Sequence, residues 1–198
     1  MIGIIDYGVG NLRSVQKACE YMGMNAVITA DPEVIGGSSH IILPGVGAFS
    51  EAMNQLREKD LIKVIEHTIQ SGKPFLGICL GMQLLFEISY ENGSNNGLGI
   101  LPGEVVHLSD RVKVPHMGWN SLRITDHPLF HGIMQGAYVY FVHSYYVKTH
   151  QKDIIIASTH YDIEFTVAVA KQNIFGMQFH PEKSGNTGLQ ILKNFGGL

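Results

Sequence analysis

Short apolar runs alternate with helical periods through the first half of the chain. The runs typical of buried strands are Ile2–Ile5, Ala26–Thr29, His40–Leu43 and Phe75–Ile78. Apolar residues at helical spacing follow them over Leu12–Met22, Ala48–Arg57, Leu61–Ile69 and Leu80–Phe86. Alternation of this kind predicts an α/β fold, with a parallel central sheet and helices on both faces.

The second half of the chain is dominated by strand-like runs. They lie at Val105–Leu108, Tyr138–Val142, Ile154–Ser158, Thr166–Ala170 and Ile174–Phe179, and a last helix is expected over about Leu189–Phe195. We expect antiparallel strands that extend the sheet or form a flap on it. Because the sequence has no repeat, low-complexity tract or Pro/Ser-rich linker, we expect a single domain over residues 1–198.

Composition excludes several classes of partner. The 198 residues carry 14 Lys and Arg against 17 Asp and Glu, so the basic footprint of a nucleic-acid binder is missing. The uncharged run Pro74–Phe86 is shorter than the roughly 20 residues of a membrane span. Two cysteines do not make a disulfide framework, and no targeting segment is evident at the N-terminus. We therefore expect a cytoplasmic protein that binds neither nucleic acid nor membrane.

The stretch Gly-Ile-Cys-Leu-Gly at 77–81 fits G-x-C-x-G, the cysteine form of a nucleophile elbow. Such an elbow exposes its nucleophile above the C-terminal edge of the sheet, at the start of a helix that favours the thiolate. Cys79 is thus a candidate nucleophile, and the N–H of Leu80 a candidate oxyanion donor. A small buried cysteine in a Gly-rich turn has the same pattern. Cys19, on the apolar side of a helix, is expected to pack in the core.

A cysteine thiol with a pKa of about 8.5 needs a base at pH 7. The stretch Gln-Phe-His-Pro-Glu at 178–182 follows an apolar run, so His180 lies at a strand end, where α/β folds place their sites. Residues two apart on an extended chain point to the same side, so Glu182 could accept a hydrogen bond from His180 and orient it. A strand exit with two solvated polar groups would look the same, but together with Cys79 the order is that of a triad.

A third motif, Pro-Gly-Val-Gly at 44–47, also follows a strand and precedes a helix. Gly45 and Gly47 free the peptides on either side of Val46 to turn their N–H groups inward, as a second oxyanion donor requires. An ordinary flexible turn is the alternative. Neither a glycine-rich phosphate loop nor a zinc-binding spacing occurs, so we expect no cofactor and no metal.

With these three motifs, the chain resembles the class I (triad) glutamine amidotransferases over its whole length. Four further stretches, at 6–15, 44–49, 115–120 and 140–146, resemble the branch of that family that serves imidazole glycerol phosphate synthases. The resemblance implies a mixed, largely parallel sheet flanked by helices, in one type 1 glutamine amidotransferase domain over residues 1–198.

The resemblance also implies roles for the motif residues. Cys79 would attack the γ-amide of glutamine and form a thioester, His180 would protonate the leaving ammonia and then activate water, and Glu182 would orient His180. The N–H of Leu80 and a peptide N–H at Gly45 or Val46 would hold the oxyanion.

Four further residues are implied in binding glutamine, namely Gly47, Gln83, Ser144 and Tyr145. The implied partner is a (β/α)8 cyclase subunit, which uses the ammonia to make imidazole glycerol phosphate and an aminoimidazole carboxamide ribonucleotide in histidine biosynthesis. Asn11 and Trp119 are implied on the docking face. The glutaminase of this branch is nearly silent until the partner carries its ligand, and we expect a turning peptide at Val46 to be the switch.

Three alternatives remain open from the sequence. The chain could serve a sibling synthase of anthranilate, purine or pyridoxal phosphate synthesis, since the chemistry at Cys79 would be identical. It could be a stand-alone cysteine hydrolase, although the His-Pro-Glu stretch would not be expected there. It could be an inactive binding subunit, although the intact triad opposes this.

Overall fold

A mixed sheet of twelve strands runs through the molecule, and a computed structural model describes it over all residues 1–198. The strands are β1 Ile2–Ile5, β2 Ala26–Thr29, β3 His40–Gly45, β4 Phe75–Cys79, β5 Phe86–Ser89, β6 Asn95–Asn96, β7 Leu101–His107, β8 His116–Ser121, β9 Arg123–Ile124, β10 Tyr138–His143, β11 Tyr145–Lys148, β12 Ile155–Tyr161, β13 Ile163–Lys171 and β14 Ile174–Met177. Only β8 and β10 lie outside this sheet, where they pair with each other.

Six α-helices connect or flank the strands. They are α1 Leu12–Tyr21, α2 Pro32–Gly37, α3 Phe49–Glu58, α4 Leu61–Gln70, α5 Leu80–Leu84 and α6 Gly185–Phe195. None of them has the length and apolar character that crossing a membrane requires.

The sheet has a parallel half and an antiparallel half. Strands run in the order β2-β1-β3-β4-β14-β13-β11-β7-β5-β6, and the first five are mutually parallel. From β14 onward the pairs β14–β13, β13–β11 and β11–β7 are antiparallel, and the more distant pair β7–β5 is parallel. The predicted α/β fold with a mixed sheet is confirmed. Because β4 and β14 are parallel neighbours, the chain leaves both at the same edge of the sheet.

Helices cover both faces of the parallel half, as the alternation predicts. Along β3, Ile42 belongs to one hydrophobic cluster while Ile41 and Leu43 belong to another. The first cluster includes apolar residues of α1 and α6, and the second includes those of α3 and α4. Strands that are buried on both faces consist of continuous apolar runs, which explains why the sequence predicts these strands.

The helix predicted through Phe86 is too long. Helix α5 ends at Leu84, and Phe86 begins β5, where it pairs with Leu101 of β7. The uninterrupted apolar run across Leu85 suits a buried helix and a buried strand equally. The pairing with β7 decides in favour of the strand.

Strands β8 and β10 form an antiparallel ribbon, so the second half of the chain both extends the sheet and builds a flap. Trp119 pairs with Tyr140 and Met117 with Val142 on one face of the ribbon. Met117 is 62% exposed and Trp119 55% exposed. The ribbon therefore presents an apolar face to solvent, defined here by Met117, Trp119, Tyr138 and Tyr140 and called the ribbon face.

Candidate active site

Cys79 lies at a strained turn between β4 and α5. Its backbone has φ +55° and ψ −112°, a left-handed conformation that costs a non-glycine residue about 1–3 kcal/mol. A strand can enter a helix this abruptly only if the residues on either side are small. The elbow predicted from the sequence is thus present, with Cys79 at its apex.

Both glycines of the elbow are required by close backbone contacts. A Cβ on Gly77 would lie 2.6 Å from the carbonyl oxygen of Gly81, and a Cβ on Gly81 would overlap the carbonyl oxygen of Leu43. These contacts bring α5 against β3 as well as β4. The two glycines of the pattern G-x-C-x-G therefore allow the backbones of β3, β4 and α5 to pack in direct contact.

His180 and Glu182 form a buried pair beside the end of β14. Nδ1 of His180 donates to Oε1 of Glu182 at 2.9 Å, and the two side chains are 2% and 1% exposed. Nε2 of His180 and Oε2 of Glu182 are buried and have no hydrogen-bond partner. Glu182 thus fixes the orientation of the ring, and Nε2 is the ring nitrogen that has no hydrogen-bond partner.

The charge state of His180 depends on its two neighbours. Burial by itself would lower the pKa of the imidazole. The Cys79 sulfur and the Glu182 carboxylate both favour the imidazolium, and together they raise the pKa of His180 to about 10. This direction is what a thiolate–imidazolium pair requires, because each charge stabilises the other.

Further hydrogen bonds hold His180 and Glu182 in place. The N–H of His180 donates to the carbonyl of Tyr140 at 3.0 Å, and the hydroxyl of Ser184 donates to the carbonyl of His180 at 2.6 Å. Nδ2 of Asn11 donates to Oε1 of Glu182 at 3.4 Å. Asn11, expected on the docking face, thus contacts the triad directly.

The residues predicted to bind an oxyanion converge on Cys79. Leu80 is the first residue of α5, and N–H groups of a first helical turn have no acceptor within the helix. Gly45 is the register partner of Cys79 across β3 and β4. Val46 is 41% exposed, and Gly47 adopts φ +95° with open space around its Cα. Gly45 therefore borders Cys79, and the open space in this segment lies at Gly47.

A pocket of about 330 Å³ opens in front of Cys79. All four residues predicted to bind substrate line this pocket, and so do Cys79 and His180. The lining consists of Val46, Gly47, Cys79, Leu80, Gln83, Glu91, Pro115, Val142, His143, Ser144, Tyr145 and His180. Trp119 lies outside the pocket, on the ribbon face.

Gln83 is locked in place by its amide nitrogen. Nε2 donates to the carbonyl of Tyr145 at 3.0 Å and to Oε1 of Gln178 at 2.9 Å. Gln178 in turn donates to Sγ of Cys79 at 3.6 Å. Both hydrogens of the Gln83 amide are used, so its Oε1 is the atom left for a ligand.

Glu91 is a pocket residue that the sequence reasoning missed. Its Oε2 accepts a hydrogen bond from the N–H of Phe49, the first residue of α3, at 2.7 Å. This contact fixes the only acidic side chain among the residues that line the pocket. No local pattern marks Glu91, because its partner lies 42 positions away.

The site has the parts of a cysteine-dependent acyl transfer and no group that suggests another chemistry. No cluster of three or more His, Cys, Asp or Glu side chains is placed to hold a metal ion. A buried histidine, a cysteine at a helix start and backbone N–H groups beside it are what hydrolysis or transfer of an acyl group through a thioester requires.

Comparison with known proteins agrees with this geometry. Residues 4–196 match the family model described as glutamine amidotransferase class-I. The chain belongs to the class-I glutamine amidotransferase family, as the motifs predict.

Curated relatives narrow the family further. The imidazole glycerol phosphate synthase subunit HisH of Caldanaerobacter subterraneus is 57% identical over 199 residues, covering 100% of this chain and 98% of the relative. Subunits of the same name from Bacillus cereus and Moorella thermoacetica are 52% and 50% identical, again over 100% of this chain and over 95% and 94% of their own.

Solved structures share the fold. PurLQS from Thermotoga maritima superposes with a TM-score of 0.79 at 20% identity, covering 99% of this chain and 97% of that chain. A structure described as glutamine amidotransferase gives 0.76 at 19% identity, covering 98% of each chain. At such identities the likeness establishes the fold, and the predicted class I glutamine amidotransferase fold is confirmed.

Proposed function

We propose that this chain is the glutaminase subunit of an imidazole glycerol phosphate synthase. It hydrolyses glutamine to glutamate and ammonia and passes the ammonia to a (β/α)8 cyclase subunit of histidine biosynthesis. The observation that carries the chemistry is the buried His180–Glu182 pair beside Cys79 at the mouth of the pocket. The assignment to this branch of the family is supported by 50–57% identity to HisH subunits over the whole chain.

Cys79 performs the first chemical step. Its thiolate attacks the γ-carbonyl carbon of glutamine, and the carbonyl oxygen becomes an oxyanion held by N–H groups at Leu80 and at Gly45 or Val46. The tetrahedral intermediate collapses as His180 gives its proton to the leaving nitrogen. Ammonia departs and a γ-glutamyl thioester remains on Cys79.

Water completes the cycle. His180, now neutral, takes a proton from a water molecule as that water attacks the thioester carbon. The second tetrahedral intermediate expels the Cys79 thiolate, and glutamate leaves the pocket. Glu182 keeps the His180 ring in one orientation through both steps.

The remaining pocket residues orient the substrate. Oε1 of Gln83 is free to accept a hydrogen bond, and Gly47, Ser144 and Tyr145 line the same wall. We assign Glu91 to the α-ammonium group of glutamine, because it is the one carboxylate in the lining. This assignment distinguishes glutamine from a simple primary amide.

We further propose that residues 1–198 act as one amidotransferase domain and that the cyclase docks on the ribbon face. Trp119 is 55% exposed there and packs edge-on against Tyr140. Beside the open space at Gly47, a peptide of Val46 turns when the partner docks, so that its oxyanion donor points inward only in the complex. Structures of the isolated and ligand-activated forms with the same peptide orientation would refute this switch. The cytoplasmic location stays a prediction.

The test of the proposed function is glutamate release from glutamine. The purified chain is assayed alone and then with a (β/α)8 cyclase subunit and its nucleotide ligand. We expect weak turnover alone and strong stimulation by the liganded complex. Equal turnover in both would reject the assigned partner and direct attention to the sibling synthases.

A substitution at the nucleophile tests the chemistry. Cys79→Ala in the complex is expected to abolish synthesis from glutamine while synthesis from free ammonia continues, because the cyclase performs that step. Loss of both would assign Cys79 a structural role. Turnover of glutamine without Cys79 would reject the thioester mechanism.

A further inference from the structure

Two buried histidines outside the triad form a hydrogen-bonded pair under the ribbon. Nδ1 of His116, on β8, lies 2.9 Å from Nε2 of His143, on β10, and the residues are 4% and 6% exposed. Nδ1 of His143 lies 2.8 Å from the carbonyl oxygen of Tyr145. Nδ2 of Asn120 lies 3.3 Å from Nε2 of His116. The triad chemistry uses none of these nitrogen atoms.

The groups at the two ends of this row, the Tyr145 carbonyl and the Asn120 amide, determine which atom donates in each hydrogen bond. A carbonyl oxygen only accepts, so Nδ1 of His143 carries the hydrogen and Nε2 accepts from His116. At the other end, Asn120 donates to the carbonyl of His160 and accepts from the N–H of Ser121, so its Nδ2 faces His116. Both rings are therefore neutral, with the proton on Nδ1.

Burial supports the neutral state of both rings. It lowers the pKa of His116 to about 4 and contributes most to lowering that of His143 to about 3. A proton added to either ring would place two N–H groups opposite each other. Neutral rings thus keep the row intact at physiological pH.

The row continues to the nucleophile. The carbonyl of Tyr145 accepts a second hydrogen bond, from Nε2 of Gln83 at 3.0 Å. Gln83 also donates to Gln178, and Gln178 donates to Sγ of Cys79 at 3.6 Å. We call this row the amide–imidazole chain; in order, it contains Asn120, His116, His143, Tyr145, Gln83, Gln178 and Cys79.

We propose that His116 and His143 are positioning residues of the glutaminase site, acting through the Tyr145 carbonyl. The proposal rests on the proposed function for its kinetic consequences, whereas the effect on Cys79 reactivity holds whatever the substrate is. His143 fixes the carbonyl that anchors Gln83, and Gln83 fixes the amide that donates to the sulfur. An N–H donor on sulfur favours the thiolate over the thiol.

The chain also joins two regions that the proposed function keeps apart. Asn120 and His116 lie on the same strand as Trp119 and Met117, which face outward on the ribbon face. The pocket wall at Ser144 and Tyr145 is the other end of the imidazole pair. The ribbon face and the pocket wall are thus linked through β8 and its hydrogen bond to His143 on β10.

A matched pair of substitutions isolates the hydrogen bond. His116 is sandwiched between the rings of Phe141 and Tyr161, at centroid distances of 4.7 and 4.2 Å. His116→Leu and His116→Asn both remove this stacking, and their side chains have the same branched shape and the same number of heavy atoms. Only Asn places an N–H donor at the position of Nδ1, so the difference between the variants reports the donor to His143.

The first readout is the rate at which iodoacetamide alkylates Cys79 in the isolated chain, with Cys79→Ala as the control for Cys19. The second is kcat/KM for glutamine in the complex with the cyclase and its ligand, beside synthesis from free ammonia. We expect His116→Leu to lower the alkylation rate and kcat/KM by about 3- to 10-fold, the worth of one neutral hydrogen bond. His116→Asn should recover most of both, and synthesis from ammonia should not change.

Several results would overturn the proposal. Equal values for Leu and Asn at position 116, or wild-type values for Leu, would reject a positioning role. If His116→Leu fails to fold, the pair His143→Asn and His143→Leu replaces it, since only Asn keeps the donor to Tyr145; equal loss in that pair has the same meaning. A third result would separate the two proposals. If the His116 variants change Cys79 alkylation as expected but the wild-type complex does not turn over glutamine, the proposed function is rejected, whereas the positioning role of the amide–imidazole chain is supported.

Discussion

The hydroxyl of Tyr7 occupies the space that a side chain at position 45 would need. A Cβ on Gly45 would lie 2.5 Å from that oxygen and 2.9 Å from the amide nitrogen of Gly81. Tyr7 is fully buried, and its hydroxyl has no hydrogen-bond partner. Burial, and secondarily the charge of Cys79, raises the pKa of this phenol. The strand end beside the nucleophile is therefore packed against an unpaired polar atom.

Gly45→Ala should destabilise the chain by about 1–3 kcal/mol, the usual cost of overpacking. Tyr7→Phe should leave the free energy of unfolding unchanged or raise it by about 1 kcal/mol, because an unsatisfied hydroxyl is removed. The double variant should recover part of the loss, since the closest atom is gone. Urea unfolding of the four proteins measures this. A double variant as unstable as the sum of the singles would mean that the Gly81 contact dominates.

Strain at Cys79 gives a second prediction, which separates backbone from side chain. Cys79→Ala and Cys79→Gly both remove the sulfur, and only Gly adopts φ +55° without a steric cost. We expect the Gly variant to be more stable than the Ala variant by about 1 kcal/mol, the strain less the extra chain entropy of Gly. Thermal and urea unfolding test this. An Ala variant of equal or higher stability would show that the elbow is not strained.

Glu182→Gln should lower kcat for glutamine by about 100-fold or more while synthesis from ammonia persists. The carboxylate both orients His180 and raises its pKa, and a neutral amide does neither as well. Glutamate release in the complex is the measurement. Glu20→Gln, an exposed carboxylate paired with Lys17, is the matched control and should behave as wild type. Comparable losses in both variants would argue against a triad role for Glu182.

The part of the site that is local in the chain was predictable from the sequence. Gly77, Cys79 and Gly81 act within one turn, so their spacing carries the elbow. His180 and Glu182 are likewise two residues apart. Glu91 and Gln178 become part of the site through partners 42 and 99 positions away, and no spacing records such contacts.

The same distinction explains the strands. Runs buried on both faces, such as β3 and β4, are apolar throughout and were predicted. Strand β8 contains Gly118 and has a single buried residue, His116, so no apolar run marks it, and its pairing with β10 makes it a strand. The His116–His143 contact arises from that pairing and so was out of reach of any local pattern.

Trp119→Ala should weaken binding of a (β/α)8 cyclase subunit without changing the melting temperature of the isolated chain appreciably. The indole is 55% exposed, so its removal costs little in the folded monomer but removes an aromatic anchor from the ribbon face. Calorimetric titration measures the affinity. Tyr21→Ala, an exposed aromatic on α1, is the control and should bind as wild type. Unchanged affinity for the Trp119 variant would remove this residue from the docking face.

The buried imidazole pair makes stability depend on pH in a defined direction. His116 and His143 have folded-state pKa values of about 4 and about 3, below the value of about 6.5 in an unfolded chain. Below pH 6.5 the unfolded state binds protons that the folded state excludes, so stability is complete above that pH and is lost as pH falls toward 4. Each such proton contributes at most about 1.4 kcal/mol per pH unit.

His116→Leu removes one of these two titrating groups, so the free energy of unfolding of this variant should fall less steeply between pH 6.5 and 5 than that of wild type. His40 and His127, whose pKa values burial also lowers, remain in both proteins and cancel in the comparison. Urea unfolding at several pH values provides the slopes, and identical slopes for the two proteins would show that His116 takes up its proton in the folded state as readily as in the unfolded chain.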